Sequence, residues 1–140
     1  MLNFLATCVL VASARLLPWS GDESSQLYER SIKDHLSGGE YTTIHVLICE
    51  DLELAPKIGN IRVIQSEDPR VLAKGKKSLY VIKVLPLGVS KGLIKVAIID
   101  FVYALKGKEH TLARSGIELF RYRYDTASGT YLLVDREIGH

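Results

Sequence analysis

The feature that most constrains this fold is the lack of any helix-length segment after residue 40. Before residue 40, the residues from Asp22 onward have helical periodicity. Gly38 and Gly39 end that helical segment because glycine accepts left-handed backbone conformations. The apolar side chains of this predicted helix share one face: Leu27, Tyr28, Ile32 and Leu36. Parallel strands usually need a helical crossover, so we expect the later strands to form an antiparallel meander.

The chain after residue 40 alternates apolar and polar residues and is rich in β-branched side chains, which favour strands. The predicted strands are centred on "YTTIHVLICE", "IRVIQ", "SLYVIKVLPLG", "LIKVAIIDFVYAL", "IELFRYRYD" and "TYLLVDREI". The sequence therefore predicts an α+β fold, with one N-terminal amphipathic helix packed on a curved antiparallel β-sheet meander.

This element order, with its long closing strands from Leu93 to Ile138, resembles the cystatin-like and nuclear-transport-factor-two-like group, in which a curved sheet wraps around a helix. The resemblance covers residues 22–138 and includes no diagnostic motif. It implies a small binding domain, because members of this group often serve as inhibitors, immunity-type proteins or accessory binding modules. Larger members usually have more than one N-terminal helix, whereas one is evident here.

The first 14 residues, "MLNFLATCVLVASA", have the pattern of a signal peptide. A short apolar run from Leu2 to Val11 precedes Ala12-Ser13-Ala14, which fits the small-x-small cleavage pattern. The run is shorter than the roughly 20 apolar residues that span a membrane. It also lacks a preceding Lys or Arg, which favours the alternative, a buried N-terminal helix of a cytoplasmic protein.

The candidate signal peptide sets the expected division of the chain into segments. Residues 1–14 are a candidate signal peptide, residues 15–21 a connector, and residues 22–140 a single domain, which suits a chain of this length. We expect a secreted or periplasmic protein with no membrane contact after removal of the signal. The alternative location is the cytoplasm.

Composition excludes several classes of function. Of the 140 residues, 47% are hydrophobic and 24% are charged, with a net charge of +2. This balance is typical of a globular domain, and so small a net charge gives no electrostatic basis for binding nucleic acid or a membrane surface. No Cys or His spacing fits a metal site, so we predict neither a metal nor a cofactor.

Asp100 is the first candidate site residue, because it lies within the apolar stretch "LIKVAIIDFVYAL". A buried carboxylate must be paired, hydrogen-bonded, protonated or in contact with water. One interpretation is a structural carboxylate paired with Arg121, Arg123 or Lys83 on neighbouring strands. The other is an acid/base group in a cavity, where His45 would join it as a proton-transfer pair.

The closing hairpin is the second candidate. Phe120, Tyr122 and Tyr124 alternate with Arg121 and Arg123, and Tyr and Arg are common anchors of protein interfaces. The same tyrosines are also explained by sheet packing alone.

The sequence therefore favours a small exported, non-catalytic domain that contacts another protein, or a second copy of itself, through its sheet face and hairpin. The alternative is a small-molecule-binding or proton-transfer enzyme with Asp100 and His45 in the cup of the sheet.

Overall fold

A computed structural model describes residues 21–49 and 52–140. The described helices are α1 (Gly21–His35) and α2 (Pro69–Ala73). The described strands are β1 (Thr43–Ile48), β2 (Lys57–Ile58), β3 (Ile61–Ser66), β4 (Ser78–Val84), β5 (Gly88–Ser90), β6 (Leu93–Lys106), β7 (Glu109–Asp125) and β8 (Thr130–Gly139). The candidate signal peptide lies outside the described residues, as does the predicted connector apart from Gly21, which begins α1.

The described strands form one mixed sheet in the order β2-β3-β1-β4-β6-β7-β8, with β5 paired to β6. Strand β1 is parallel to both of its neighbours, β3 and β4, while the other pairings are antiparallel. The predicted fold class is therefore wrong. The described residues are mostly β-strand, the sheet is mixed rather than an antiparallel meander, and a second helix is present.

The second helix explains the error. Residues 67–77 carry the chain from β3 across β1 to β4, and they contain the five-residue α2. The Asp68 carboxylate accepts a hydrogen bond from the Arg70 backbone N–H at 2.9 Å, which caps the start of α2. Lys74 ends it in the left-handed region, with φ of 48°. So short a helix leaves no periodicity in the sequence, yet it suffices to cross one strand.

Helix α1 covers one face of the sheet and forms the larger core with it. Its apolar side chains pack on alternate residues of β1, β4, β6 and β7, because every second residue of a strand points to the same face. The buried members include Leu27, Ile32, Val46, Ile82, Val84, Val96, Ile98, Phe120 and Tyr122. The predicted apolar face of the helix is thus its core-facing side.

Helix α2 packs on the opposite face and builds a smaller cluster. Leu72 and Ala73 contribute to it together with Leu47, Val81 and Tyr103. The sheet therefore carries a helix on each side, but the two helices cover areas of different size.

A β-bulge interrupts the pairing of the two longest strands. Asp100 pairs with Gly116 and Phe101 pairs with Arg114, so Ser115 has no opposite residue on β6. Bulges bend a strand and often occur beside functional sites. This one lies beside Asp100, under the C-terminal end of α1.

Candidate functional site

Asp100 lies on the α1 face of the sheet, in the row of β6 that also contains Ile94, Val96 and Ile98. Its Oδ1 atom lies 2.7 Å from His35 Nε2 and accepts a hydrogen bond from the Tyr80 hydroxyl on β4. The structural interpretation predicted Arg121, Arg123 or Lys83 as the partner of Asp100, and this prediction is wrong. Lys83 lies on the opposite face, one residue from Ile82, which is the β4 partner of Asp100.

His35 ends α1 with both ring nitrogens in contact with carboxylates. Nε2 contacts Asp100, and Nδ1 lies 2.7 Å from Glu118 Oε1 on β7. Only 8% of the His35 side chain is exposed, against 21% for Asp100 and 5% for Glu118. The last turn of a helix favours a cation because its backbone carbonyls carry partial negative charge. The arrangement thus places an imidazole between two acidic groups at the end of the helix.

Arg136 on β8 completes the charged cluster. Its Nε donates to Glu118 Oε2, and its Nη2 donates to the Asp34 backbone carbonyl at 3.0 Å, near the end of α1. The guanidinium also lies over the Phe120 ring, 5.3 Å from the ring centre, a favourable cation–π distance. One arginine thereby joins the last strand to both the helix and the buried glutamate.

The proton content of this cluster follows from hydrogen-bond geometry. Burial would raise the pKa of Glu118, but hydrogen bonds from Arg136 and His35 outweigh it and hold the pKa below its ordinary value. Glu118 is therefore ionised at neutral pH and can only accept, so His35 Nδ1 carries a hydrogen. His35 Nε2 and Asp100 Oδ1 also form a hydrogen bond, whose donor is whichever of the two atoms carries the hydrogen.

Tyr80 remains a hydrogen-bond donor to Asp100. Burial raises the pKa of its hydroxyl strongly, and the hydrogen bond and negative charge of Asp100 raise it further. Oδ1 of Asp100 thus has two neighbours, Tyr80 and His35. In contrast, Asp100 Oδ2 accepts no hydrogen bond from any residue that the structure describes.

A half-open cleft of about 390 Å³ lies beside this cluster. Its walls come from His35 and Asp100, the turn after α1, the bulged part of β7 and the end of β8, and include Ser37, Gly38, Ser115, Gly116, Ile138 and Gly139. A side chain at Gly116 would begin 3.5 Å from Asp100 Oδ2. The glycine therefore leaves room for a small molecule to reach that oxygen.

His45 does not join Asp100. It lies on β1 next to Ile44 and Val46, which pack under α1, and alternation puts it on the α2 face. Burial lowers its pKa, and the positive charges of Lys76 and Lys74 lower it further. The structure therefore pairs Asp100 with His35 instead of the predicted His45.

The candidate binding residues of the hairpin differ in exposure: two are buried, two are exposed and one is held in ion pairs. Phe120 and Tyr122 are fully buried under α1, and the Tyr122 hydroxyl lies 2.7 Å from Ser31 Oγ. Tyr124 is 43% exposed, and Arg123 is exposed as well. Arg121 forms ion pairs with Asp135 at 2.9 Å and Glu137 at 2.8 Å on β8.

Four members of the charged cluster were not singled out from the sequence as site residues: His35, Glu118, Tyr80 and Arg136. A histidine in the last turn of a helix and a glutamate at the start of an aromatic strand each fit ordinary surface positions. The alternation that placed Glu118 on the face of Phe120 and Tyr122 was the usable signal. Alternation gives neither the pairing of the strands nor the position of α1 on the sheet. These two together bring His35 and Tyr80 to Asp100 and join Glu118 to His35 and Arg136.

Comparisons with known proteins do not assign the chain to a family. Neither the protein-family models nor the curated proteins contain a match to the chain. Across residues 21–49 and 52–140, no helix is long and apolar enough to cross a membrane, and no group of three His, Cys, Asp or Glu side chains is arranged to hold a metal ion.

Proposed function

We propose that the protein binds a small, neutral, hydrogen-bond-donating molecule in the cleft beside Asp100. The observation that carries this proposal is the unpartnered Oδ2 of Asp100, which belongs to a charged cluster and borders a cleft of about 390 Å³. Small-molecule sites commonly combine such a volume with a few fixed polar groups.

The charges of the cluster favour a neutral ligand. Asp100 and Glu118 are opposed by the guanidinium of Arg136 and by the imidazole of His35, which contacts both carboxylates. An anion would meet the acceptor Oδ2, and the Arg136 guanidinium that lines the cleft already donates to Glu118 and to the Asp34 carbonyl. A hydroxyl or amide N–H, in contrast, can donate to Oδ2. Because His35 and Tyr80 hold Oδ1, the carboxylate is fixed before a ligand arrives, which lowers the entropic cost of binding.

Backbone amide NMR spectra of ¹⁵N-labelled protein, titrated with dihydroxyacetone, test the proposal. We expect shifts at Ser115, Gly116 and Gly139, and we expect no shifts there with acetate, which offers only acceptors. The Asp100→Ala variant should lose the response, whereas Asp135→Ala, which removes an exposed carboxylate elsewhere on the sheet, should keep it.

A second variant tests the proposal even if Asp100→Ala does not fold. Gly116→Ala adds one methyl group beside Oδ2 and leaves every charge in place, so it should weaken the dihydroxyacetone response in a folded protein. Shifts that persist unchanged in Gly116→Ala and Asp100→Ala, or that map away from the cleft, would contradict the proposal.

The hydrogen bond between His35 Nε2 and Asp100 Oδ1 supports proton transfer as a second function of the same cleft. A bound ketone could give a proton from its α-carbon to Asp100 Oδ2, and the electron pair of that C–H bond would remain on the ketone as an enolate. Asp100 would exchange this proton with solvent and return one to the carbon. In D₂O, dihydroxyacetone should then exchange its C–H protons faster with wild-type protein than with Asp100→Asn. Equal exchange rates for the two proteins would leave the cleft as a binding site alone.

A further inference from the structure

β8 is the last strand of the sheet, and its outer edge is exposed. The first half of the strand lies away from the cleft, which is lined by its last residues. β8 pairs with β7 along one side, and no described strand pairs with its other side. Leu132, Leu133 and Val134 are 44%, 38% and 46% exposed. An exposed apolar edge presents unpaired backbone groups to other strands, and proteins usually shorten it, cover it or place charges on it.

We propose that this edge pairs with the same edge of a second copy, in antiparallel orientation and centred on Leu132. In a two-fold antiparallel pair, the central residue lies opposite itself and its neighbours lie opposite each other. Leu132 then faces Leu132 of the second copy, and Tyr131 faces Leu133. The exposed apolar side chains of one copy thereby meet those of the other.

The charges on β8 exclude centres further along the strand. Pairing centred on Asp135 or Arg136 would place like charges directly opposite each other, which destabilises a sheet. With Leu132 at the centre, Asp135 lies opposite Gly129 and Arg136 lies opposite Ser128, so no charged residue of β8 meets another. Pairing centred on Leu133 or Val134 would also keep like charges apart, but it would place Tyr131 opposite Asp135 or Glu137. The Leu132 centre instead matches Tyr131 with Leu133.

The faces of the strand agree with the same register. Tyr131 and Leu133 lie opposite Tyr124 and Tyr122 of β7, so both are on the α1 face, while Leu132 lies opposite Arg123 on the other face. Residues directly opposite in an antiparallel pair lie on one face, so Tyr131 of each copy would pack with Leu133 of the other on the α1 side.

One contact competes for this edge. Arg30 on α1 donates from Nη1 to the Tyr131 carbonyl at 2.7 Å, and its guanidinium lies over the Tyr122 ring. A backbone carbonyl has two lone pairs and can accept a second hydrogen bond. The pairing spans only the five residues from Thr130 to Val134 and ends at the irregularity where Val134 has no partner on β7, so we expect a weak, concentration-dependent dimer.

Sedimentation velocity of the full chain across a concentration series tests this dimer. Wild-type protein should shift from monomer to dimer with increasing concentration. Leu132→Lys places two like charges at the centre and should weaken dimerisation by about tenfold or more, which corresponds to about 1.4 kcal/mol. Val89→Lys, at a 62% exposed position on β5, is the matched control and should dimerise as the wild type does.

A disulfide measurement tests the register independently. With Cys8 and Cys49 replaced by Ser, Leu132→Cys should form a cross-linked dimer under mild oxidation, because opposite Cβ atoms in an antiparallel pair lie about 5 Å apart. Val89→Cys should remain uncrosslinked. A wild-type chain that stays monomeric, a dimer that Leu132→Lys leaves intact, or equal cross-linking of both cysteine variants would each overturn the proposal. None of these outcomes affects the cleft proposal, whose readout is at Gly116.

Discussion

His35 and His45 lie on opposite faces of the sheet, in opposite electrostatic surroundings. On the α1 face, His35 contacts Asp100 and Glu118, each at 2.7 Å. On the α2 face, His45 has Lys74 and Lys76 nearby, and burial together with those positive charges lowers its pKa. The same residue type is thus bound by acidic partners on one face and kept neutral on the other.

The difference shows that a histidine's role depends on the face and the neighbours that the sheet register supplies. His45 is surrounded by a β-rich sequence that made it a candidate, yet it faces the smaller core cluster. His35 ends a helix whose apolar residues form the larger core, so packing of that helix fixes its ring against two strands. The comparison leads to three tests, taken from the largest expected effect to the smallest.

The largest effect should come from the unequal cores of the two faces. Ile32→Ala removes a side chain with no exposed surface between α1 and the sheet, and we expect a loss of about 2–5 kcal/mol in the free energy of unfolding. Leu72→Ala, in the smaller α2 cluster, should cost less because the five-residue helix that carries Leu72 can shift to fill the space more easily. Urea denaturation of both variants measures the difference, and a larger loss for Leu72→Ala would reverse the assignment of the main core.

The second test compares the two histidines directly. His35→Ala leaves the carboxylates of Asp100 and Glu118 without the group between them, and we expect it to cost about 2 kcal/mol, because a partly buried charge loses its partner. His45→Ala should cost less than about 1 kcal/mol, since no acidic side chain of the described residues pairs with His45. Urea denaturation at neutral pH measures both. Equal losses would show that the carboxylate contacts contribute little.

The smallest effects should appear in the pH dependence of stability, in different pH windows. Folding lowers the pKa of His45 from 6.5, so the unfolded chain binds its proton first and stability falls as pH decreases below 6.5. Folding lowers the pKa of Glu118 from 4.5, so its contribution is present above pH 4.5 and is lost as pH falls through the folded value.

Variants separate these two windows. His45→Gln should reduce the pH dependence just below 6.5, whereas Glu118→Gln should reduce it only below 4.5. The difference in unfolding free energy between wild type and Glu118→Gln should therefore shrink as the solution becomes acidic. Thermal denaturation across a pH series makes the measurement. A Glu118→Gln effect that is constant from neutral to acidic pH would show that folding does not lower that pKa.

The sequence by itself determined the local elements on the α1 side. The spacing of Leu27, Ile32 and Leu36 gave the helix and its buried face, because a 3.6-residue period directly reports which side chains align. Strict alternation in β6 and β7 likewise placed Asp100 with Val96 and Ile98, and Glu118 with Phe120. These are properties of neighbouring residues along the chain, and no other part of the molecule is needed to read them.

Only the tertiary structure decided which elements lie side by side. The parallel placement of β1 between β3 and β4 depends on a five-residue helix that has no periodic pattern, so the sequence predicted a meander instead. The contact of His35 with Asp100 and Glu118 joins residues more than sixty positions apart, through the crossing of α1 over β6 and β7. Hydrophobic burial fixes that crossing, but it is non-directional, so the charged partners are known only once the helix is seated on the sheet.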